Sequence, residues 1–234
     1  MSSEPIKLFY WKIRGLGRPV ATLLEYSNTP YEYTYFNGAV DNGADWKEYK
    51  SVLVESDFPL ANLPFINDPN TKTFLSETFA IMFHIARLYC KELGPETMEE
   101  VEEFMLIQGV INDYNRNITM PAYMSKTKED LVKAMTSGMK YQKCKTQYFV
   151  EKLEAGKWIL GDKLSYLDFF LSELLEKLTV MEDELNINFI GPENSKIFKD
   201  YVERFNALEK VKEFRESKRS IDRPFNNTPK AVWG

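Results

Sequence analysis

The texture of the chain changes once, between about 89 and 97, and that change restricts the fold more than any other feature of its 234 residues. Before it, strand-like and helix-like segments alternate. Ile6-Lys7-Leu8-Phe9-Tyr10-Trp11 reads as a strand. After Gly15 and Gly17, the residues Val20, Leu23 and Leu24 have helical spacing until Pro30 ends the pattern, and the aromatic-rich run 31–36 reads as a second strand. A strand, a helix and a strand in that order favour a parallel pair with a crossover helix. The Gly/Asn/Asp-rich stretch 37–45 is a loop. Segments 63–66 and 71–75 are two short strands around the turn Asn67-Asp68-Pro69-Asn70, after which Ser76 is placed to cap a helix running to about 89. That order, β-α-β, loop, β-β-α, is the order of a thioredoxin-like layer.

From Gly94-Pro95 onward helix follows helix. Thr97-Met98-Glu99-Glu100 has the spacing of a capping box and precedes Ile107, Val110, Ile111 and Tyr114 at i, i+3, i+4 and i+7. A long helix is expected over 129–153. Another starts at the box Ser165-Tyr166-Leu167-Asp168, with Leu164 and Phe169 as a hydrophobic staple, and a further one spans 195–208. The fold class is therefore α+β: a thioredoxin-like α/β domain over 1–90, an all-α helical bundle domain over 97–225, and a C-terminal tail over 226–234.

Composition removes several kinds of function. A 44% hydrophobic and 14% aromatic content is that of a globular protein. Thirty basic against 35 acidic residues give a net charge of −5 without a basic stripe, so no nucleic-acid partner is expected. No apolar run approaches the roughly 18–20 residues of a membrane helix, and the start Met-Ser-Ser-Glu-Pro lacks the regions of a signal peptide, so a cytoplasmic location is expected. Cys90 and Cys144 lie outside any Cys-x-x-Cys spacing and fit reduced, mostly buried thiols. The single histidine, His84, lies in the apolar run 81–86 and reads as a packed or partly exposed helix residue; alone it cannot build a His-based metal site or support a family of His triads.

The segment Phe9-Tyr10-Trp11-Lys12-Ile13-Arg14-Gly15-Leu16-Gly17-Arg18 closely resembles the first strand and turn of mu-class cytosolic glutathione transferases, which read Tyr-Trp-x-Ile-Arg-Gly-Leu. Arg223-Pro224 and the terminal Ala231-Val232-Trp233-Gly234 are similar to the tail of the same class. Between them Trp46-x-x-x-Lys50, Asn62-Leu63-Pro64, Glu77-Thr78 and the stretch 161–169 match in order and approximate spacing, so the resemblance covers essentially the whole chain. It implies conjugation of glutathione, a cosubstrate, to hydrophobic electrophiles by a homodimer that needs no cofactor and no metal.

Each residue type suits that chemistry. The thiolate is the nucleophile, and a free thiol with a pKa near about 8.5 is mostly protonated at neutral pH. A tyrosine hydroxyl can donate to the sulfur, and each unit of pKa lowering takes about 1.4 kcal/mol of preference for the anion. Tyr10, at the end of the first strand and ahead of a helix N-terminus, takes this role by resemblance, with Leu16 and Trp11 walling the site. Trp11 is equally readable as core. Lys50 lies one helical turn after Trp46, so the ammonium can meet the glycyl carboxylate while the indole donates beside it. Asn62 and Leu63 precede a proline of the cis-proline type, where the Leu63 backbone would pair with the cysteinyl part. Glu77 and Thr78 open a helix and would take the γ-glutamyl ammonium and carboxylate. By resemblance Asp113 reaches the ammonium of the neighbouring subunit, and Tyr123, ten residues later, faces the electrophile.

The chain departs from the class at several points. Glu-Thr replaces the usual Gln-Ser at 77–78, the Phe58 to Pro64 stretch carries two additional residues beside the dimer-key loop, Met120-Pro121-Ala122 differs around Tyr123, and Phe83 stands where an interface arginine is common. Two other functions use the same glutathione half: a glutathione-dependent isomerase or peroxidase, and a noncatalytic glutathione- or ligand-binding relative.

Overall fold

A computed structural model of the protein describes residues 4–38, 43–227 and 230–234. The loop expected over 37–45 therefore lies partly outside the described residues. The first domain contains β1 (Ile6–Trp11), α1 (Gly17–Tyr26), β2 (Tyr31–Phe36), α2 (Ala44–Glu55), β3 (Phe65–Asp68), β4 (Thr73–Ser76) and α3 (Thr78–Tyr89). The four strands form one sheet in the order β2-β1-β3-β4. β1 runs parallel to β2 and antiparallel to β3, and β3 is antiparallel to β4.

Both faces of this sheet are covered, as the apolar strands require. Ile6, Leu8 and Ile66 pack with Val20, Leu24 and Met82 in the main core. Phe9 and Phe65 instead stack at 4.2 Å and join Phe36, Trp46 and Leu53 in a smaller cluster under α2.

After a 3-10 turn at Lys91–Leu93 come α4 (Met98–Met124), α5 (Lys128–Tyr141), α6 (Lys143–Ala155), α7 (Tyr166–Leu185), α8 (Pro192–Asn206) and α9 (Glu209–Glu216). α7 is buried around nearly its whole circumference, so it serves as the bundle's central rod. The main core passes without interruption from Leu8 and Leu24 to Leu171 and Leu175, which joins the two domains through apolar contact.

Several expectations change. Ser76 does not cap α3: it ends β4, and its hydroxyl donates to the Leu60 carbonyl at 2.8 Å, while Glu77 at φ 70° forms the boundary. The helix expected over 129–153 is two helices, because Gln142 leaves helical geometry at φ −87°, ψ 6°; it ends α5 and starts α6. A capping box that the sequence reading passed over, Thr127 with Asp130, starts α5. The box at 97–100 forms only by half. Thr97 accepts from the Glu100 N–H, but the Glu100 carboxylate takes the Glu96 N–H instead. The box at Ser165 and Asp168 is complete. The last long helix begins earlier than 195, at Pro192, whose fixed φ suits a first helical position. Cys90 is buried, but Cys144 is exposed rather than buried. His84 is buried and pairs with Asp68 at 2.9 Å, a structural role.

The segment expected as a tail is part of the packed body. Phe225, Asn226, Ala231 and Trp233 are buried, and the Val232 N–H donates to the Ala122 carbonyl at the end of α4. Among the described residues no helix is long and apolar enough to cross a membrane, and no cluster of three or more His, Cys, Asp or Glu is arranged to hold a metal ion.

Candidate functional site

Strand register collects the first half of the site. The ladder pairs Phe9 with Phe65, and Phe65 with Ser76. Past that row Tyr10 and Trp11 continue β1, Leu63 and Pro64 lead into β3, and Glu77 and Thr78 follow β4. Residues far apart in sequence thus end at one edge of the sheet. The Leu63–Pro64 peptide is cis, and Leu63 is buried while Asn62 is exposed. From above, α2 brings the buried Trp46, with its ring 5.3 Å from Phe36 and 5.9 Å from Phe65, and one turn later the half-buried Lys50.

Tyr10 is buried in this cluster. Its hydroxyl oxygen accepts the Leu16 N–H at 2.8 Å. Burial pushes the phenol pKa well up, and the Leu16 bond opposes this only in part, so the group is protonated at neutral pH. A lone pair is thus engaged, while the O–H has no acceptor among the described residues and can donate elsewhere. Gly15 and Gly17 make room for the ring: a Cβ on Gly15 would lie 2.5 Å from the Tyr10 hydroxyl, and one on Gly17 2.5 Å from Cδ1. The sequence reading used those glycines only as helix-start signals.

The turn that carries the Leu16 amide is held from two sides. Arg14 is buried and forms ion pairs with Glu173 at 2.6 Å and Glu176 at 2.7 Å, both on α7. Its guanidinium lies 4.1 Å over the Phe225 ring. The Arg14 and Gly15 amides donate to the Pro224 and Phe225 carbonyls at 2.9 and 3.0 Å. For Glu176, burial would raise the carboxyl pKa, but Arg14 and then Arg215 more than reverse this and hold it down to about 2. The sequence reading named Arg14 only as a neighbour and missed Glu173 and Glu176; their i, i+3 spacing on a helix was the available signal.

Thr78 is the first residue of α3 and Glu77 the residue before it. Glu77 is exposed and its backbone is in the left-handed region at φ 70°, a conformation that costs energy for a residue with a side chain. Thr78 is buried, and its hydroxyl has no partner among the described residues. A buried hydroxyl without a partner costs about 1–3 kcal/mol, which an incoming acceptor would recover.

The second half of the site comes from α4 and the tail. The Tyr123 hydroxyl accepts the Asn227 N–H at 2.9 Å. Burial raises the Tyr123 pKa as well. One turn earlier, Thr119 accepts from the buried Lys177 at 3.1 Å and donates to Asn115 at 3.0 Å. Burial pushes Lys177 down to about 8. Asp113 is not brought to this cluster. It is exposed on α4 with its carboxylate paired to Lys145 on α6.

A thioredoxin-like layer with a cis-proline and a buried tyrosine, followed by a helical bundle, is the architecture that the chain presents. Residues 112–218 match the family described as "Glutathione S-transferase, C-terminal domain". The chain is 30% identical to human glutathione S-transferase Mu 2 over 98% of its own length and 99% of that protein, and 34% identical to a glutathione S-transferase of Tyrophagus putrescentiae over 100% and 98%. In fold it is similar to the crystal structure of the glutathione S-transferase Blo t 8, with a TM-score of 0.64, 22% identity and coverage of 94% of this chain and 98% of that one. The chain belongs to the glutathione S-transferase family, and its relatives include mu-class members.

Proposed function

We propose that the protein conjugates the thiolate of reduced glutathione to hydrophobic electrophiles, with Tyr10 as the residue that touches the sulfur. The observation that carries this reading is the state of the Tyr10 hydroxyl. It is protonated, it accepts from Leu16, and it keeps its proton for another acceptor at the edge of the sheet. A thiolate placed there receives that proton as a hydrogen bond, and the Leu16 amide polarises the donor further. Lowering the thiol pKa by two units takes about 2.8 kcal/mol, the scale of charge-assisted hydrogen bonding in a water-poor pocket.

The remaining glutathione groups find matching chemistry in the neighbouring residues. Thr78 and the first amides of α3 suit the γ-glutamyl carboxylate, Glu77 its ammonium, the Leu63 backbone the cysteinyl amide, and Lys50 with Trp46 the glycyl carboxylate. Asn62 borders this strand-like pairing, and Trp11 and Leu16 form the walls. Tyr123 donates to charge developing on the electrophile. Glutathione is a cosubstrate, and the scheme requires no cofactor or metal.

A homodimer follows from the same reading. Leu60, Phe74, Phe83, Met98, Met105 and Leu106 are exposed apolar side chains, with Leu60 at 76%, more apolar surface than an isolated chain needs to leave in water. Asp113 would then act in the partner's site after exchanging Lys145 for the glutathione ammonium. A reducing cytoplasmic location suits the free thiols Cys90 and Cys144.

The test is turnover of glutathione with 1-chloro-2,4-dinitrobenzene alongside retention on immobilised glutathione. Retention with turnover supports the proposal, and retention without turnover would favour a noncatalytic binder.

A further inference from the structure

α7 carries two polar clamps one turn apart. Glu173 and Glu176 hold Arg14 on the turn that supplies the Leu16 amide, and Lys177, four residues after Glu173, reaches Thr119 on α4. The first clamp joins opposite charges. The second holds a cation with no counter-charge of its own.

Lys177 is 4% exposed. Among the described residues its amine has one hydrogen-bond acceptor, the Thr119 hydroxyl at 3.1 Å, and no ion-pair partner. Burial lowers its pKa to about 8; Glu173 pulls against that and Arg14 adds to it, so at pH 7 the amine is still mostly charged. Glu173 is itself bonded to Arg14 at 2.6 Å. A buried cation without an ion partner destabilises a fold, and a link between α4 and α7 needs only a neutral donor.

The hydrogen bonds lead away from Lys177 in one direction. Thr119 accepts from Lys177 and donates its own proton to Asn115 Oδ1 at 3.0 Å, so its hydroxyl is oriented. This polarises the Asn115 amide, whose Nδ2 has no acceptor among the described residues. Asn115, Thr119 and Tyr123 follow at four-residue intervals on α4, all half-buried, and form one stripe. Tyr123 is the residue assigned to the electrophile. The stripe therefore offers an incoming oxygen two donors, the Tyr123 hydroxyl and an Asn115 amide polarised by a buried ammonium.

We propose that Lys177 is a positioning residue for the second substrate: acting through Thr119 and Asn115, it favours electrophiles that gather negative charge on an oxygen during the reaction. This rests on the conjugation reading above. With 1-chloro-2,4-dinitrobenzene the thiolate adds to the carbon that bears chlorine, an electron pair moves from the ring onto a nitro oxygen, and it returns as chloride leaves. The charge on that oxygen is what the stripe stabilises. 4-Nitrobenzyl chloride has a nitro group too, but in its direct displacement the electron pair of the carbon–chlorine bond departs with chloride and little of it reaches the nitro oxygens.

Steady-state rates with both electrophiles at saturating glutathione, for the parent and for Lys177→Gln, test this. Lys177→Gln should lower kcat/KM for 1-chloro-2,4-dinitrobenzene about tenfold, mainly in kcat, and for 4-nitrobenzyl chloride no more than about twofold. Thr119→Val keeps the lysine and cuts the relay, so it should repeat the selective loss, and it decides the matter should Lys177→Gln fail to fold. Glutathione affinity by calorimetry should stay within about twofold in both variants. An equal loss with the two electrophiles, as a displaced α4 would give, or a ratio unchanged from the parent overturns the proposal. A parent that turns over neither electrophile sinks the conjugation reading itself, whereas an active parent with an unchanged ratio in the variants sinks this inference alone.

Discussion

In the sheet half of the proposed site, pairing of Phe9, Phe65 and Ser76 brings the chain ends that carry Tyr10, Leu63 and Thr78 to one edge; in the helical half, Tyr123 meets Asn227 across 104 residues through packing of a tail. Register is specified locally, since slipping a strand by one residue would turn its apolar side chains to the wrong face. Tail packing has no such rule. The half proposed for glutathione is therefore fixed by pattern, and the half proposed for the electrophile is free to vary with the contacts that close over it. Arg14 connects the two, being on the turn of the first, with its N–H donated to Pro224 ahead of the tail and its guanidinium paired to α7 of the bundle.

Removing that connection should have the largest effect. Arg14→Met leaves Glu173 and Glu176 buried without their main partner, and loss of one side of a buried ion pair costs about 3–5 kcal/mol. Urea denaturation measures it. A loss below about 1 kcal/mol would mean that the halves are held together by apolar contact alone, and the comparison would need redrawing.

Thr78→Val sharpens the comparison from the sheet side. Its hydroxyl has no partner among the described residues, so removing it should relieve a desolvation cost and raise stability by about 1 kcal/mol or more. Glutathione affinity should fall about tenfold, near 1.4 kcal/mol, because a bond made only with the ligand is gone. Calorimetry reads the affinity. Lost stability with unchanged affinity would show that Thr78 belongs to the fold and not to the site.

A smaller effect appears with pH. Glu176 is held down to about 2 in the folded protein, below its unfolded carboxyl value of about 4.3. Its contribution to stability is present in full above the unfolded value and is lost as pH falls from there towards about 2. Denaturation midpoints between pH 7 and 3 should decline for the parent chain and less steeply for Arg14→Met. Equal slopes would detach Glu176 from Arg14.

The sequence was readable to the extent that its signals were local. β1 and β2 were located to the residue by their aromatic and apolar runs, whereas Tyr10, Leu63 and Thr78 were named from a motif. The break at Gln142 was not legible, since apolar periodicity runs through a one-residue change of backbone angle. Ser76 looked like a cap because it precedes a helix by two residues, but pairing with Phe65 and a bond to Leu60 made it strand. The carboxylates on α7 that hold Arg14 are about 160 residues from it in sequence, and no local pattern links them. Asp113 shows the same limit: in one chain it pairs with Lys145, and only a second chain can test its proposed role.

The most direct test of the account is the thiol pKa of bound glutathione in Tyr10→Phe, followed by thiolate absorbance near 240 nm across a pH titration. The ring and its place against Gly15 and Gly17 are kept, and only the donor is removed. The account predicts glutathione affinity within a few fold of the parent and a thiol pKa raised by about one to two units, towards the free value of about 8.5. An unchanged titration with bound glutathione would contradict it.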